Sequence, residues 1–332
     1  MKFFRAHCAC SVMLAAVLVM FTLGGGCVGK KEPFRIAIVT WVGYGPFYIA
    51  QDKGYYKEEG LDVDIVKIED EGARKSAFTS GNVQGAINTI DALASGAPQG
   101  LPGLVIYKID DSFGGDGIVA RKSIKTIQDL KGKTVAYPRG LPSHFFLLYL
   151  LRKAGLSSQD IISKTMEAGD AGAAFVAQKV DAAVTWEPWL TQAAKTEHGH
   201  ILMTTREAPG LIVDVFMISP KTKKERAKDV EKFVRTWFKA IEFIKQHPSE
   251  AYEIMAKHLD IPKSDFEGMV QGIKYSDYQE NLRYFGLAPS AKNEFSEVFN
   301  AAEEIWKSEG VINKTVDAKD VQETSFLLKI KQ

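Results

Sequence analysis

Beyond its first 27 residues the 332-residue sequence lacks cysteine, and this excludes two classes of protein. All three cysteines, Cys8, Cys10 and Cys27, lie in that opening segment. The rest of the chain therefore has neither the paired thiols of a disulfide-rich domain nor a C-x-x-C metal site. An excess of one charge is also lacking, because 42 basic residues face 41 acidic ones. A net charge of +1 gives no bulk attraction for nucleic acid, so a partner must be held by a local site.

Signatures of catalysis are missing as well. The sequence contains no G-x-S-x-G elbow, no G-x-x-x-x-G-K-[ST] loop and no H-E-x-x-H pair. Glu197, His198 and His200 lie close together, but they do not have the i, i+4 spacing of helical metal ligands, and a solvated turn is favoured. We therefore predict a chain that is not an enzyme and that has no cofactor and no metal site.

One apolar run stands out near the start of the chain. Lys2 and Arg5 precede an uncharged stretch at 8–23, which is followed by three glycines and Cys27. A basic start, an apolar run and small residues are typical of an export signal, predicted here as 1–26. The alternative is an uncleaved membrane anchor, although the run is shorter than the roughly 20 residues that span a bilayer.

The small residues before Cys27 resemble the lipobox of bacterial lipoproteins, although Leu23 stands four residues before the cysteine instead of three. This resemblance implies that Cys27 is lipidated, that 27–33 is a lipid-anchored tether, and that the protein is periplasmic or on the cell surface, attached to the membrane. Cleavage would leave Cys27 as the single thiol, so stability would have to come from the core.

Strand and helix patterns alternate along the next two hundred residues, which predicts an α/β fold with mostly parallel sheets and helices on both faces. The predicted strands cover 34–40, 61–68, 85–89, 104–109, 133–137, 163–167, 180–186, 201–205 and 211–219. The remainder is nearly all helical, with an apolar stripe from Val230 to Ile244 that indicates core packing. Ligands of such sheets bind beyond the carboxyl ends of strands, so the loops there are the candidates for a site.

Four segments resemble a known family. They are GYGPFYIAQDKGYYKEEGLDV at 43–63, GNVQGA at 81–86, DLKGKTVA at 129–136 and VDAAVTWEPW at 180–189. Together they resemble the substrate-binding proteins of ABC importers, in the nitrate/taurine/alkanesulfonate branch, which also includes binders of thiamin-pyrimidine precursors. The matching segments run in family order between about residues 34 and 219.

The resemblance implies a two-lobed periplasmic-binding-protein type II fold, with the C-terminal helices packed on the first lobe. The expected division is 34–121 for the first part of lobe 1, 122–210 for lobe 2, and 211–332 for the second part of lobe 1 with the C-terminal helices. It also implies a monomer that closes on a small solute and is recognised by a permease and ATPase complex, with no nucleic-acid partner.

The loops after the strands supply eight candidate ligand-binding residues. The aromatic ones could form rigid walls or pack in the core, and the acidic ones could meet a ligand or cap a helix. Asp214 lies inside an apolar strand, where a carboxylate needs a partner. The candidates are Trp41, Tyr44, Asp91, Ser143, His144, Trp186, Glu187 and Asp214.

Three carboxylates and three aromatic rings favour a cationic or neutral ligand, of the amine, guanidine or pyrimidine kind. Arg139 points the other way, because its planar fork suits a sulfonate or carboxylate, unless it forms a surface ion pair. An alkanesulfonate, taurine or nitrate binder therefore remains an alternative. Two further alternatives are a pyrimidine-precursor synthase-like enzyme, in which His144 would be consumed and pyridoxal phosphate required, and a chemoreceptor-coupled sensor.

Overall fold

The structure, a computed structural model, describes residues 32–330. The predicted signal segment 1–26 and the lipidation site Cys27 lie outside the described residues, as does the tether up to residue 31. In the part of the chain that is described, no helix combines the length and the apolar character required to cross a bilayer.

Two mixed sheets form the framework. The first has six strands, and the second has five. In order across the first sheet the strands are β11 (Ile273–Tyr275), β4 (Leu104–Ser112), β10 (Val213–Ile218), β3 (Gly85–Thr89), β1 (Phe34–Ile38) and β2 (Val63–Lys67). In order across the second they are β7 (Ile162–Thr165), β6 (Thr134–Tyr137), β8 (Ala182–Trp186), β5 (Asp116–Arg121) and β9 (Gly199–Thr204).

The prediction of mostly parallel sheets is wrong. Strand β10 runs antiparallel to both β3 and β4, and β5 runs antiparallel to both β8 and β9. The physical reason is the path of the chain, since β5 and β10 each enter a sheet directly from the other sheet. A strand that starts at the edge where its neighbours end must run opposite to them.

The second sheet also begins earlier than expected. Strand β5 pairs with β8 and β9, so residues 116–121 belong to the second sheet, whereas the expected boundary placed them in the first lobe. The apolar run 118–120 follows Gly114 and Gly115, and glycines at this spacing favour a tight connection over a strand. That tight connection does occur, between the end of β4 and the start of β5.

Fourteen α-helices among the described residues surround the sheets. They are α1 (Gly45–Asp52), α2 (Tyr55–Glu58), α3 (Glu71–Ser80), α4 (Ile90–Gly96), α5 (Pro142–Lys153), α6 (Ala168–Val176), α7 (Trp189–Ala194), α8 (Pro220–Glu225), α9 (Ala227–Gln246), α10 (Pro248–Leu259), α11 (Lys263–Met269), α12 (Tyr278–Tyr284), α13 (Glu294–Ser308) and α14 (Ser325–Leu328).

The C-terminal helices pack against the first sheet, as expected. Helix α9 buries its apolar stripe there, where Phe233 and Trp237 are almost fully inaccessible. The Phe233 ring lies 4.9 Å from that of Phe216 in β10, and the Trp237 ring lies 4.7 Å from that of Phe47 in α1. Burial of such rings provides much of the core's stability.

The chain crosses between the sheets twice, once from β4 to β5 and once from β9 to β10. These crossings are joined by hydrogen bonds at Thr205, whose hydroxyl lies 2.8 Å from that of Ser112 and accepts from the backbone N–H of Gly114 at 2.8 Å. The cavity described next lies beside this junction.

Candidate functional site

A cavity lies where the carboxyl ends of the first-sheet strands face the second sheet. The centre of a water-sized sphere can occupy a volume of about 40 Å³ within it. Four predicted site residues line it together with nine others. The lining residues are Val39, Trp41, Tyr44, Arg74, Ile87, Asn88, Thr89, Asp116, Leu141, Pro142, Trp186, Ile212 and Asp214.

Two aromatic side chains from the turn after β1 hold carboxylates in place. The hydroxyl of Tyr44 donates to Asp214, and the indole N–H of Trp41 donates weakly to Asp110 at 3.4 Å. Burial raises the pKa of Tyr44 well above its usual value, and the negative charge of Asp214 adds to the effect, so this hydroxyl remains a donor. Gly43 lets the turn approach, because a Cβ there would lie 2.2 Å from Asp110 Oδ2.

Trp186 joins the two halves of the protein at this cavity. Its indole N–H donates to the backbone carbonyl of Thr40 at 2.9 Å, and thus connects the end of β8 to the residue that precedes Trp41. The ring is 7% exposed and lines the cavity. It is therefore both an aromatic wall and a link between the sheets.

Carboxyl groups at and behind the cavity are buried without cations. Asp91, Asp110, Asp116, Glu187 and Asp214 are each at most 6% exposed. In residues 32–330, no lysine, arginine or histidine forms an ion pair with any of them. A buried carboxylate without a counter-ion is unfavourable, so protons or a bound cation must neutralise much of this charge.

The pKa values of these groups follow from the burial. Loss of solvent raises the pKa of Asp91 and of Asp116 to about 7. Burial also raises the pKa of Asp214 well above its usual range, and the adjacent charge of Asp110 raises it further. Asp110 and Asp214 are register partners on β4 and β10, so two like charges would lie side by side if both were ionised.

Arg74 is the cationic side chain among the lining residues, but its charge is already shared. One guanidinium nitrogen donates to the carbonyls of Ile68 at 2.9 Å and Glu69 at 3.2 Å. The other pairs with Glu71. These contacts hold the guanidinium at the first turn of α3. Because its charge is already shared, Arg74 is a weak counter-ion for the buried aspartates.

Asp91, Ser143 and His144 lie behind the lining, where they pack between helices. Neither carboxylate oxygen of Asp91 nor the hydroxyl of Ser143 has a hydrogen-bond partner among the described residues. The ring of His144 stacks on Tyr137 at 4.9 Å, and burial, with the charge of Arg139, lowers the pKa of His144 to about 4. Contact of these three residues with a ligand stays a prediction.

Glu187 also lies outside the lining and has local partners. Its carboxylate accepts from the Thr191 hydroxyl at 2.6 Å and from the Thr191 backbone N–H at 3.1 Å. Both bonds satisfy the first turn of α7, which is the capping alternative considered for this residue. Its role toward a ligand stays a prediction.

Sequence reasoning missed several residues of the lining, above all Asp116, Arg74 and Thr89. Asp116 lies among the glycines at 114, 115 and 117, which favour a tight connection, and the structure shows that the chain crosses from one sheet to the other there. Arg74 lies in the first turn of a predicted helix, where nothing in the sequence indicates which way it points. Arg139, which was considered for an anion, is exposed and does not line the cavity.

The two histidines of the turn at 197–200 each contact a backbone carbonyl oxygen. The His198 ring nitrogen lies 3.1 Å from the carbonyl oxygen of Phe175, and that of His200 lies 2.7 Å from the carbonyl oxygen of Ile124. Within residues 32–330, no group of three or more metal-ligating side chains has the arrangement needed to hold a metal ion.

Comparison with known proteins gives a family and a fold. Residues 41–251 match the family described as NMT1/THI5 like, which is more than half of the chain and includes the cavity turns and both chain crossings. This match, and the relatives below, confirm the resemblance that the sequence motifs indicate.

Two curated relatives cover most of this chain. A putative aliphatic sulfonates-binding protein of Bacillus subtilis is 23% identical over 329 residues, covering 96% of each chain. The taurine-binding periplasmic protein of Escherichia coli is 25% identical over 264 residues, covering 76% of this chain and 81% of its own. Both are described as binding proteins, which confirms the prediction of a binding protein rather than an enzyme.

A solved structure confirms the fold class. The alkanesulfonate-binding protein SsuA of Xanthomonas axonopodis pv. citri, bound to MOPS, superposes with a TM-score of 0.74 at 17% identity, over 89% of this chain and 100% of its own. The two-lobed periplasmic-binding-protein fold, with a helical C-terminal region, is therefore established for residues 32–330.

Proposed function

The chain belongs to the NMT1/THI5-like family, and from that membership we propose that it is an extracytoplasmic solute-binding protein of an ABC importer. It captures a small polar solute in the cavity between its lobes and delivers the solute unchanged to a permease and ATPase complex. The support is threefold: relatives described as binding proteins for sulfonates and taurine, a cavity at the junction of the two sheets, and a hydrogen bond from Trp186 that joins the lobes.

The charge of the cavity carries the proposal for the ligand. Five buried carboxyl groups at or behind it lack an ion-pair partner among the described residues, and the lining arginine is already bound to Glu71 and two carbonyls. An anion would meet no unpaired cation in the lining and would be repelled by each carboxyl group that is ionised, whereas a cation or an N–H-rich neutral molecule would satisfy the carboxylates. The ligand is therefore an amine, guanidine or pyrimidine-like molecule.

The lining residues differ in the contact that each makes with the ligand. Trp41, Tyr44 and Trp186 provide aromatic faces, which attract cations. Asp214 and Asp116 provide the charge and belong to different sheets, so a ligand bound to both carboxylates stabilises the closed arrangement of the lobes. Asp91, Ser143 and His144 form a second polar layer behind these contacts.

Calorimetry across a panel of solutes tests this proposal. The panel contains guanidinium, methylamine, a pyrimidine amine, taurine, nitrate and ethanesulfonate. Asp214→Asn removes the charge while the shape is kept, and we expect cation affinity to fall about 10- to 100-fold, as for a hydrogen bond to a charged group.

Glu303→Gln is the matched control. Glu303 is a buried carboxyl in α13 that accepts from the Val316 backbone N–H at 2.8 Å, away from the cavity. We expect the affinity of this variant to stay within about twofold of wild type. Tight binding of nitrate or a sulfonate, together with no response to any cation, contradicts the cationic ligand while leaving the importer role in place.

A sulfonate or nitrate ligand is the second candidate, favoured by the relatives and by Arg74. The guanidinium of Arg74 lines the cavity, and its fork geometry suits a sulfonate if it turns away from Glu71. Arg74→Gln separates the two candidates. It abolishes binding if the ligand is an anion, and it preserves or strengthens binding if the ligand is a cation.

We also propose that Cys27 carries a lipid and that the mature protein is a monomer. The basic residues, apolar run and glycines before Cys27 support the anchor. Mass spectrometry of the membrane fraction tests it, because a lipidated N-terminal cysteine adds the mass of the acyl chains. Cys27→Ser should release the protein from the membrane, and retention of this variant would instead indicate an uncleaved apolar anchor.

A further inference from the structure

The size of the cavity narrows the ligand class. The centre of a water-sized sphere can occupy about 40 Å³ of this cavity, which is room for a small solute.

The arrangement of acceptors narrows the class further. Asp116 belongs to β5 of the second sheet and Asp214 to β10 of the first, and both line the cavity with Thr89 and Trp186. A planar cation with several N–H groups can donate to more than one carboxylate at once while its face lies on an indole ring. A single ammonium group offers donors but no flat face.

Two of the buried carboxyl groups share a strand junction. Asp110 and Asp214 are register partners on adjacent strands, and both are buried, at 0% and 3% exposure. Trp41 donates to Asp110 and Tyr44 donates to Asp214, whereas Asp110 Oδ1 has no hydrogen-bond partner among the described residues. Without a ligand, one of the pair therefore keeps a proton.

The charged and titratable groups around this pair do not supply a replacement cation. On β4, Lys108 is turned to Asp111 and Glu280, at 2.6 and 3.2 Å. The other groups that act electrostatically on the pair or on Tyr44 are mostly acidic or phenolic. They are Asp111, Asp91, Asp116, Tyr275 on β11, and Arg74 on α3, which is itself paired with Glu71.

We infer that the ligand is a compact planar cation of the guanidinium or amidinium class, and that it enters in exchange for a proton held by the Asp110 and Asp214 carboxyl groups. The inference rests on the proposed function and deepens it. A bound cation stabilises the ionised form of both carboxylates, so the proton leaves to solvent as the ligand enters. No bond in the ligand is broken.

Three ions and molecules of nearly the same planar shape test the class. Guanidinium, urea and nitrate each have four non-hydrogen atoms and carry charges of +1, 0 and −1. We expect guanidinium to bind, urea to bind at least about 10-fold more weakly, and nitrate to show no binding at concentrations of about 1 mM. Acetamidinium should bind like guanidinium, whereas a long-chain alkylguanidinium should bind at least about 10-fold more weakly.

Proton release is measured by repeating the guanidinium titration in phosphate and in Tris, which differ in their heat of ionisation. The apparent binding enthalpy should differ between the buffers by an amount that corresponds to release of roughly one proton. Asp110→Asn gives Asp214 a neutral neighbour with an N–H donor, and release should fall below the wild-type value. Glu303→Gln should release as many protons as wild type.

The outcomes separate this inference from the proposed function. Binding of guanidinium with equal enthalpy in both buffers overturns the proton exchange. Failure of guanidinium and acetamidinium to bind, with binding of a larger amine or pyrimidine, overturns the compact planar class but leaves a cationic solute-binding protein. Failure of every solute in both panels overturns the inference and the proposed function together. Circular dichroism of each variant shows whether a loss of binding reflects unfolding.

Discussion

The indole N–H of Trp186 donates to the backbone carbonyl of Thr40 at 2.9 Å, and this bond connects the second sheet to the first across the mouth of the cavity. Trp186 is the last residue of β8, and Thr40 follows β1 by two residues. The same ring lines the cavity. One side chain therefore both links the two sheets and lines the cavity.

Replacing Trp186 with phenylalanine keeps an aromatic wall and removes the interlobe hydrogen bond. A neutral hydrogen bond contributes about 0.5–1.5 kcal/mol, so we expect ligand affinity to fall about 3- to 10-fold. Calorimetry measures the change, and small-angle scattering should show that more ligand is needed to reach the compact form.

Trp189→Phe is the control for this variant. The Trp189 ring lies 5.8 Å from that of Trp186, but no hydrogen bond from its indole N–H to the first sheet occurs among the described residues. Its affinity should remain close to wild type. If both variants lose affinity equally, ring size in this region matters and the interlobe hydrogen bond does not.

Gly43→Ala should disrupt the turn that presents Trp41 and Tyr44. A Cβ at this position would lie 2.2 Å from Asp110 Oδ2 and 2.3 Å from Trp41 Nε1, so either the carboxylate or the indole must move. Forced shifts of this kind destabilise by about 1–3 kcal/mol. Chemical denaturation should show that loss, and ligand affinity should fall with it because Trp41 lines the cavity and Asp110 lies beside Asp214.

Gly268→Ala provides the comparison. Gly268 lies in α11, and apart from its chain neighbours and the backbone of its own helix no atom lies within 4 Å of a Cβ built there. We expect unchanged or slightly higher stability, since alanine is the better helix former. A Gly43→Ala protein with wild-type stability and affinity would mean that the close packing around Asp110 can relax without consequence.

The sequence predicts strands more reliably than it predicts their direction or the residues that face the cavity. The strand of residues 85–89 has the bounds predicted, because buried β-branched and small residues between turn signals are a local pattern. The direction of β10 depends on where the chain re-enters the sheet, and this is a property of the whole path. Local patterns contain no information about it.

The same distinction applies to the candidate site. Trp41, Tyr44, Trp186 and Asp214 line the cavity because each lies near an end of a strand at the cleft edge, whether after it, at its last residue or at its start. Asp116 does the same, but its strand was not recognised, since glycines at 114, 115 and 117 weaken the strand pattern. Whether a polar residue one or two positions further on faces the cavity or a helix is decided by tertiary packing, which places Asp91 and Glu187 behind the lining.

Glu187→Gln distinguishes a capping residue from a ligand contact. Both carboxylate oxygens accept hydrogen bonds from Thr191, and glutamine retains one of these acceptors. We expect a loss of about 1 kcal/mol in the free energy of unfolding and ligand affinity within about twofold of wild type. Denaturant titration and calorimetry on the same preparation measure both. A 10-fold loss of affinity at unchanged stability would show instead that Glu187 binds the ligand.

Stability of the ligand-free protein should fall as pH rises from 6.5 to 8.5. Burial raises the pKa of Asp91 and Asp116 to about 7, whereas an aspartate in an unfolded chain titrates near 3.9. The folded protein therefore binds more protons than the unfolded chain above about pH 4, and the stability this provides is lost as pH rises through about 7. Across the window the free energy of unfolding should fall by about 1 kcal/mol.

His144 has the opposite dependence at lower pH. Burial lowers its pKa to about 4, so its contribution is complete above about pH 6.5 and is lost as pH falls through about 4. Between pH 6.5 and 8.5 the folded His144 is neutral, and in the unfolded chain the side chain loses its remaining charge in the first unit of this window. His144 therefore opposes the fall in stability slightly below about pH 7.5, and above that pH only the carboxyl groups contribute. Denaturant unfolding at a series of pH values gives the slope, and Asp116→Asn should make the slope shallower.

Asp64→Asn is the surface control for this measurement, since Asp64 forms an exposed ion pair with Arg35 at 3.5 Å. This substitution should leave the slope of stability against pH unchanged. Addition of a cationic ligand should flatten the slope of the wild-type protein, because the bound cation takes over the neutralising role of the protons. A stability that is constant or rises across this window would mean that the buried carboxyl groups are already ionised without a ligand. In that case the cavity must be more solvated than its burial indicates, and a bound cation would not be required to balance its charge.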